Sequence, residues 1–154
     1  YGYDYSEFKS FDGYETICIK RDPVKRFVSC YTDKIIRENH IENCDLGHFI
    51  DNFDEVLENH PFKHPSLKGK EIGFLWYHFV PQCYHLGEDI NYYDHVIDTK
   101  EISTKLKSFL ESKWEIELPN IHTRKQNITK VNLSDDQTEK VKEIYKEDYN
   151  TGWY

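Results

Sequence analysis

Arg21 and Ser29 are the first candidates for binding chemistry, because their side chains suit a phosphate group. Arg21 follows the apolar run of residues 16–19, which predicts a short buried strand. Ser29 falls in the second turn of a helix that we expect to begin at Asp22-Pro23, since Asp is a good N-cap and proline at the first position has no N–H to leave unpaired. Ligands of open α/β sheets bind at the carboxyl ends of strands, and a guanidinium pairs well with phosphate. The segment therefore predicts an anion site at a strand-to-helix turn.

The strand of residues 15–20 and the helix of residues 22–38 must position this site. Apolar residues recur along the helix at three- and four-residue spacing: Val24, Phe27, Val28, Tyr31 and Ile35. A second strand is predicted over residues 93–98, followed by a helix over residues 103–114. Two strands, each followed by a helix, predict an α/β protein with a small parallel sheet.

Other helices have recognisable start signals. Asp45 is the expected cap of a helix over residues 46–58, and Ser134 with Gln137 forms a capping box for the last helix. Residues 74–86 predict an irregular helix around Pro81. With no internal repeat or linker, we expect one domain over residues 1–154, with residues 1–14 as a loop or a remnant of a preceding part.

Composition excludes some classes of function. The formal net charge is −8, which disfavours nonspecific binding to nucleic acid but leaves room for a local basic pocket. Aromatic residues make up 16% of the chain, so we expect an aromatic-rich core. The four cysteines are widely spaced without a C-x-x-C pair, which favours small core residues over a zinc site or a disulfide framework.

The ends and compartment of the protein are weakly constrained by the sequence. The chain begins with Tyr and contains no Met, so we expect that a segment precedes Tyr1. No apolar run approaches a membrane span, and no signal peptide is present in these residues. These features favour a cytoplasmic enzyme of bacterial or viral origin. The sequons at Asn127 and Asn132 keep the Golgi lumen as the alternative.

The segment Arg-Asp-Pro-x-x-Arg-Phe-x-Ser-x-Tyr, followed by Asp33-Lys34, resembles the 3′-phosphate-binding segment of sulfotransferases, closest to the branch that acts on carbohydrates. The resemblance covers residues 15–154 and implies a fold related to phosphate-loop nucleotide hydrolases. It also implies 3′-phosphoadenosine 5′-phosphosulfate (PAPS) as donor, without a metal. Arg21 and Ser29 would hold the 3′-phosphate, with Arg26 also reaching a phosphate. The alternative is an ordinary strand–helix unit with a surface arginine.

His78, in the run His78-x-x-Pro-Gln82, matches a second segment of the same family. Sulfuryl transfer to a hydroxyl requires a base, and a histidine suits that task near neutral pH. His78 is therefore the candidate base, with a core histidine in an aromatic cluster as the alternative. Gln82 is expected to orient substrate or backbone. A metal pair of His78 and His85 is disfavoured, because no carboxylate or third ligand is nearby in the sequence.

Three further groups of residues match late parts of the family pattern. Arg124 and Lys125 occupy the place of the loop that closes over the nucleotide, and a solvated basic loop is the alternative. Asp98 and Glu101 are more simply helix caps than acceptor ligands. The closing residues 144–154 are expected to be structural, and Lys25 and Lys34 to lie on a solvated helix face.

One element of the family is not found in the sequence. A Lys-x-Gly-x-Thr/Ser loop for the 5′-phosphosulfate should precede the first strand, and Gly2 and Gly13 lack such partners. The resemblance thus implies a sulfotransferase that acts on a hydroxyl, and the branch matched implies a sugar hydroxyl. A noncatalytic nucleotide- or glycan-binding remnant is the alternative. A small-molecule kinase is a third possibility, but no Walker or Asp–Mg²⁺ signature is present.

Overall fold

The computed structural model describes residues 13–59, 74–119 and 131–154. This part of the chain is rich in helices and contains a small sheet. The strands and α-helices, in chain order, are β1 (Ile17–Lys20), α1 (Pro23–Cys30), α2 (Leu46–Asp51), α3 (Phe53–Asn59), α4 (Phe74–Phe79), α5 (Cys83–Leu86), β2 (His95–Asp98), α6 (Lys107–Trp114), α7 (Asp135–Ile144) and α8 (Lys146–Asn150). Within the described ranges, no helix is long and apolar enough to cross a lipid bilayer.

The sheet pairs β1 with β2 in parallel, as the sequence predicts. Ile17 lies opposite His95, and Lys20 lies opposite Asp98. At the amino end of the ladder, the Thr16 hydroxyl donates to the Asp94 carboxylate at 2.9 Å. Because both strands run in the same direction, residues that follow Lys20 and Asp98 emerge at the same edge of the sheet.

Helix α1 begins as predicted but changes its winding after Cys30. The Asp22 carboxylate accepts a hydrogen bond from the Lys25 N–H at 2.8 Å, and Pro23 occupies the first turn. Residues Tyr31–Arg37 then form a wider π-helical segment. The Thr32 hydroxyl donates to the Val28 carbonyl at 2.7 Å. Such a side chain competes for the carbonyl four residues earlier and loosens the regular helix.

The helix predicted over residues 46–58 is broken in two at Asn52. Asp45 caps α2 as predicted, accepting from the His48 N–H at 3.0 Å. At the break, both the side-chain amide and the backbone N–H of Asn52 donate to the His48 carbonyl at 3.1 Å. Asn side chains offer the backbone this local alternative, which explains why the helix ends there.

The remaining helices agree with the sequence in part. Ser134 and Gln137 form the predicted capping box at α7. Residues 99–106 form a 3₁₀ turn and a π-helical segment, so α6 is shorter than the expected helix over residues 103–114. No residue of α6 is buried, and Trp114 is 61% exposed. The apolar spacing in this helix is thus not matched by burial among the described residues.

Two apolar clusters hold the elements together. The larger one buries residues from α1 to α4, from the residues between α1 and α2, and from the end of α7: Phe27, Tyr31, Ile35, Ile41, Phe49, Ile50, Val56, Leu57, Leu75, Phe79, Val141 and Tyr145. Aromatic rings meet edge-on or tilted at its centre, with the Phe49 and Phe79 centroids 4.9 Å apart. The aromatic-rich core predicted from composition is confirmed.

The smaller cluster packs under the sheet edge and consists of Cys18, Cys83 and Trp153. The Trp153 indole N–H donates to the Gly87 carbonyl at 2.9 Å, so the closing residues are structural, as predicted. Burial raises the pKa of the Cys18 thiol to about 11, against the opposing charge of Lys20. Cys18 and Cys83 are therefore protonated core thiols. That residues 1–154 form a single domain stays a prediction.

Candidate active site

Arg21 leaves the end of β1 and is fixed through its backbone by Gln82. The Arg21 N–H donates to Gln82 Oε1 at 2.8 Å, and Gln82 Nε2 donates to the Arg21 carbonyl at 2.5 Å. One side-chain amide thereby satisfies both backbone groups of a residue beyond the last ladder pair. This agrees with the backbone-orienting role that the sequence predicted for Gln82.

Asp148, in α8, fixes the segment that carries Gln82. Its carboxylate accepts the Gln82 N–H at 3.0 Å and the Cys83 N–H at 2.8 Å. Asp148 has no solvent exposure, and Gln82 is only 5% exposed. A buried carboxylate is costly unless hydrogen bonds satisfy it, so these two N–H groups account for its position.

Arg26, on α1, binds the end of α4 rather than projecting into solvent. Its guanidinium donates to the backbone carbonyl of His78 at 3.0 Å and to that of Val80. The guanidinium carbon lies 5.9 Å from the centre of the Tyr145 ring, within cation–π range. Carbonyls at a helix end need donors, and Arg26 supplies them here.

His78 lies at the end of α4 and is half-buried. Burial and the positive charge of Lys34 lower the pKa of His78, while Glu38 opposes that fall. Its imidazole is therefore neutral at pH 7, which is the form that a base requires. The Cys30 thiol also donates to the His78 carbonyl, at 3.3 Å.

The charges of Arg21, Arg26 and Lys34 act on the Cys30 thiol, and we call these three residues the cationic cluster. Burial raises the pKa of the Cys30 thiol, while the charges of Arg26, Arg21 and Lys34 oppose that rise. The Asp33 charge raises the pKa of the same thiol, and Asp33 and Glu38 pair with Lys34.

Lys34 is not the solvated residue that the sequence predicted. Only 14% of its side chain is exposed, and its ammonium pairs with Glu38 at 2.9 Å and with Asp33 at 3.4 Å. Tyr31 and Ile35 are buried as the apolar spacing predicts, so the ion pairs of Lys34, rather than a change of the inward face, account for its low exposure. Lys25 is exposed, as predicted.

Ser29 lies near the end of α1 and is half-buried. It shares with Arg21 the strand–helix unit formed by β1 and α1. Arg124 and Lys125 lie outside the described residues, so their role stays a prediction. The structure thus links the Arg21 backbone to Gln82 and the Arg26 guanidinium to the His78 carbonyl, and both links end within residues 78–82.

Other predicted residues have structural roles. The Asp98 carboxylate accepts the Lys100 N–H at 2.9 Å and the Tyr154 hydroxyl at 3.0 Å, so it caps a turn as expected. Glu101 is not a side-chain cap and pairs with Lys105 at 2.7 Å. His85 Nε2 contacts the Tyr77 carbonyl at 3.0 Å. Among the described residues, no group of three potential ligands could hold a metal ion.

A cavity of about 640 Å³ lies on another side of the same segment. Its walls include Trp76, Pro81 and Tyr84. Five carboxylates also line it: Asp51, Asp54, Glu55, Glu143 and Glu147. Because a negative lining repels phosphate, this cavity is unsuited to a nucleotide, and the cationic cluster is the better candidate.

The sequence placed Asp148 among the structural closing residues but did not predict its role as acceptor for the Gln82 and Cys83 N–H groups. Its position three residues after Tyr145, on the same helical face, was the available signal, since Tyr145 is expected to be buried. An acidic residue on a buried face needs donors from elsewhere in the fold. The identity of those donors, 65 and 66 positions away, has no local signature.

The fold and site define a helix-rich α/β protein in which an arginine, Arg21, follows the carboxyl end of a parallel strand. In proteins of this class the sheet edge binds anionic ligands. The model of the sulfotransferase family, family 2, matches residues 4–151, and the chain belongs to this family. No curated protein and no solved structure matches the chain. Family membership supports sulfuryl transfer as the chemistry, and sulfotransferases generally use PAPS as the donor.

Proposed function

We propose that the protein transfers the sulfuryl group of PAPS to a hydroxyl of a carbohydrate acceptor. The observation that carries this proposal is the attachment of Arg21 to the segment of His78 through Gln82. A candidate phosphate anchor and a candidate base thereby belong to one connected arrangement. Within the proposal, the fold is related to the phosphate-loop nucleotide hydrolases.

Arg21 and Ser29 are assigned to the 3′-phosphate of the donor. Arg21 follows the strand at the sheet edge, and its guanidinium can donate two parallel hydrogen bonds to a phosphate. The helix N-terminus contributes less, because the Asp22 carboxylate already accepts the Lys25 N–H there. The side chains of Arg21 and Ser29, rather than the helix dipole, must therefore provide the main attraction.

Arg26 is assigned to holding His78, in place of the phosphate contact expected from the sequence. Its guanidinium is engaged by the carbonyls of His78 and Val80 and by the face of Tyr145. A cation committed in this way adds positive potential to the site without touching the nucleotide. Arg124 and Lys125 remain candidates for contacts with the donor.

His78 is assigned as the general base. In this scheme the acceptor oxygen attacks sulfur, and the bond between sulfur and the 5′-phosphate oxygen breaks. The hydroxyl proton moves to the imidazole, and 3′,5′-adenosine bisphosphate leaves. The lowered pKa of His78 supports the assignment, because the neutral ring is available throughout the neutral range. Burial also restricts competing water.

The experiment that tests this proposal is transfer of labelled sulfate from PAPS to a mixture of glycans. The wild-type protein should label a carbohydrate, and His78→Ala should lose at least about 100-fold in rate, as expected for removal of a general base. His85→Ala is the matched control, because His85 is also a half-buried histidine with a lowered pKa. Binding of the bisphosphate without any transfer would favour the noncatalytic binding module.

A further inference from the structure

We propose that Gln82 and Asp148 are positioning residues that orient Arg21 for the 3′-phosphate. The inference rests on the proposed function, in which Arg21 pairs with that phosphate. Neither Gln82 nor Asp148 contacts the nucleotide in this scheme. Both act through hydrogen bonds to main-chain groups.

Arg21 lies one residue beyond the last pair of the β1–β2 ladder, so strand pairing does not fix its backbone. The last pair of the ladder joins Lys20 to Asp98, so the N–H and carbonyl of Arg21 have no strand partner in the described sheet. Gln82 supplies both bonds, at 2.8 and 2.5 Å. They restrict the backbone of Arg21 and hence the direction in which its long side chain leaves the strand.

Asp148 fixes the backbone of Gln82. Its carboxylate holds the N–H groups of Gln82 and Cys83 while being fully excluded from solvent. A shift of the Gln82 backbone would therefore remove one of the two N–H donors of a buried carboxylate, which is unfavourable. Hydrogen bonds thus connect Asp148 in α8 to residues 82–83, and Gln82 to Arg21 after β1.

Arg26 holds the preceding residues of the same segment through the carbonyls of His78 and Val80. Residues 78–83 are thus tied to α1, to Arg21 and to α8. Loss of the Gln82 amide removes both hydrogen bonds to the Arg21 backbone. The bonds from Arg26 to the His78 and Val80 carbonyls remain. The expected consequence is weaker recognition of the 3′-phosphate, rather than loss of all nucleotide binding.

The test compares the affinities for 3′,5′-adenosine bisphosphate and for 5′-AMP, measured by titration calorimetry. The dissociation constant for 5′-AMP divided by that for the bisphosphate reports 3′-phosphate recognition. This ratio cancels general effects on binding of the adenosine part. Gln82→Met should reduce the wild-type ratio about tenfold, the scale of losing one well-formed hydrogen bond, and change 5′-AMP affinity less than about twofold. Asp148→Asn keeps the size of the side chain and should reduce the ratio in the same direction.

The double variant Gln82→Met/Asp148→Asn tests whether the two residues act in one chain of contacts. Residues that share a network give non-additive effects, so the double variant should reduce the ratio little further than Gln82→Met alone. Thr16→Val is the matched control. It removes hydrogen bonds to Asp94 at the amino end of the same strand and should lower stability without changing the ratio.

Two results would overturn the inference by itself. One is a folded Gln82→Met protein that keeps the wild-type ratio, and the other is an equal loss in Thr16→Val, which would indicate general loosening. A wild-type protein that does not prefer the bisphosphate, or an Arg21→Ala variant that keeps the preference, would instead overturn the proposed function. The inference would then fall with it.

Discussion

The Arg26 guanidinium donates a hydrogen bond to the backbone carbonyl of His78 at 3.0 Å. A second bond from the same group reaches the carbonyl of Val80. Helix α1 is therefore joined to the end of α4 at the residue assigned as the base. Within the proposed function, Arg26 therefore positions the segment of the base instead of binding phosphate.

Replacing Arg26 with Met should separate these two roles. We expect a loss of about 2 kcal/mol in the free energy of unfolding, because hydrogen bonds to a charged group are removed and two carbonyls lose their donor. The rate of sulfuryl transfer should fall, while affinity for 3′,5′-adenosine bisphosphate changes little. Urea denaturation, transfer kinetics and calorimetry measure the three quantities.

Arg37→Met is the control for the Arg26 variant. Arg37 pairs with Asp33 and Glu38 at an exposed position, where such pairs contribute at most about 1 kcal/mol. If Arg26→Met lost most of its bisphosphate affinity but kept its stability and its transfer rate, Arg26 would be a phosphate ligand and the positioning role would be wrong.

Arg21→Ala should abolish the rise in melting temperature that 3′,5′-adenosine bisphosphate produces. A ligand that binds only the native state stabilises it by mass action, so loss of the anchor removes the shift. Ser29→Ala should reduce the shift less, because a neutral hydroxyl contributes less than a charged donor. Differential scanning fluorimetry over a series of nucleotide concentrations makes the measurement.

The control for Arg21→Ala is Lys25→Ala, which removes an exposed cation from α1. The melting shift of this variant should equal that of the wild type. If both variants lost the shift to the same degree, general attraction between charges would explain the binding, and the specific anchor would be wrong.

Asp148→Ala should be among the most destabilising single substitutions in the described part of the chain. It leaves the buried N–H groups of Gln82 and Cys83 without their acceptor, at a cost of about 1–3 kcal/mol for each group. We expect a total loss of about 3 kcal/mol or more in the free energy of unfolding by urea denaturation.

Asp136→Ala provides the comparison for Asp148, because Asp136 is exposed on α7 and pairs with Lys140 at 3.1 Å. Its loss should cost less than about 1 kcal/mol. Equal effects of the two substitutions would mean that the buried contacts of Asp148 contribute no more than a surface pair.

Acidification should destabilise the protein through His78 and His85. Burial lowers the pKa of both histidines, so between their native values and the ordinary value of about 6.5 the unfolded state binds more protons than the native state. The free energy of unfolding therefore falls as pH falls below about 6.5, and levels off below the native pKa values. Urea denaturation from pH 7.5 to 5.5 measures this slope.

The double variant His78→Gln/His85→Gln should flatten the pH dependence over that range. His48→Gln, at an exposed position, should leave it unchanged. An unaltered slope in the double variant would show that other groups cause the acid sensitivity.

Local signals were sufficient to predict many of the elements from the sequence. The caps at Asp22, Asp45 and Ser134 could be predicted, because capping is a local interaction. In the structure each side chain accepts a hydrogen bond from the N–H three residues later. The parallel sheet followed from two apolar runs, each succeeded by a helix. The family also followed from the sequence, since its motifs are short segments with fixed internal spacing.

Residues whose partners are distant could not be assigned in this way. The break at Asn52 and the widening after Cys30 arise from competition between side chains and backbone, which apolar spacing does not reveal. Lys34 was predicted to be solvated, but only 14% of its side chain is exposed, because it pairs with Asp33 and Glu38.

The sequence by itself determined the helix caps, the two parallel strands, the family and the types of residue available for chemistry. The tertiary structure alone decided that Gln82 holds Arg21, that Asp148 holds Gln82 and that Arg26 holds His78. These contacts span from 52 to 66 positions along the chain. Their geometry depends on how the helices pack around the aromatic core, because a hydrogen bond requires its two groups within about 3 Å of each other.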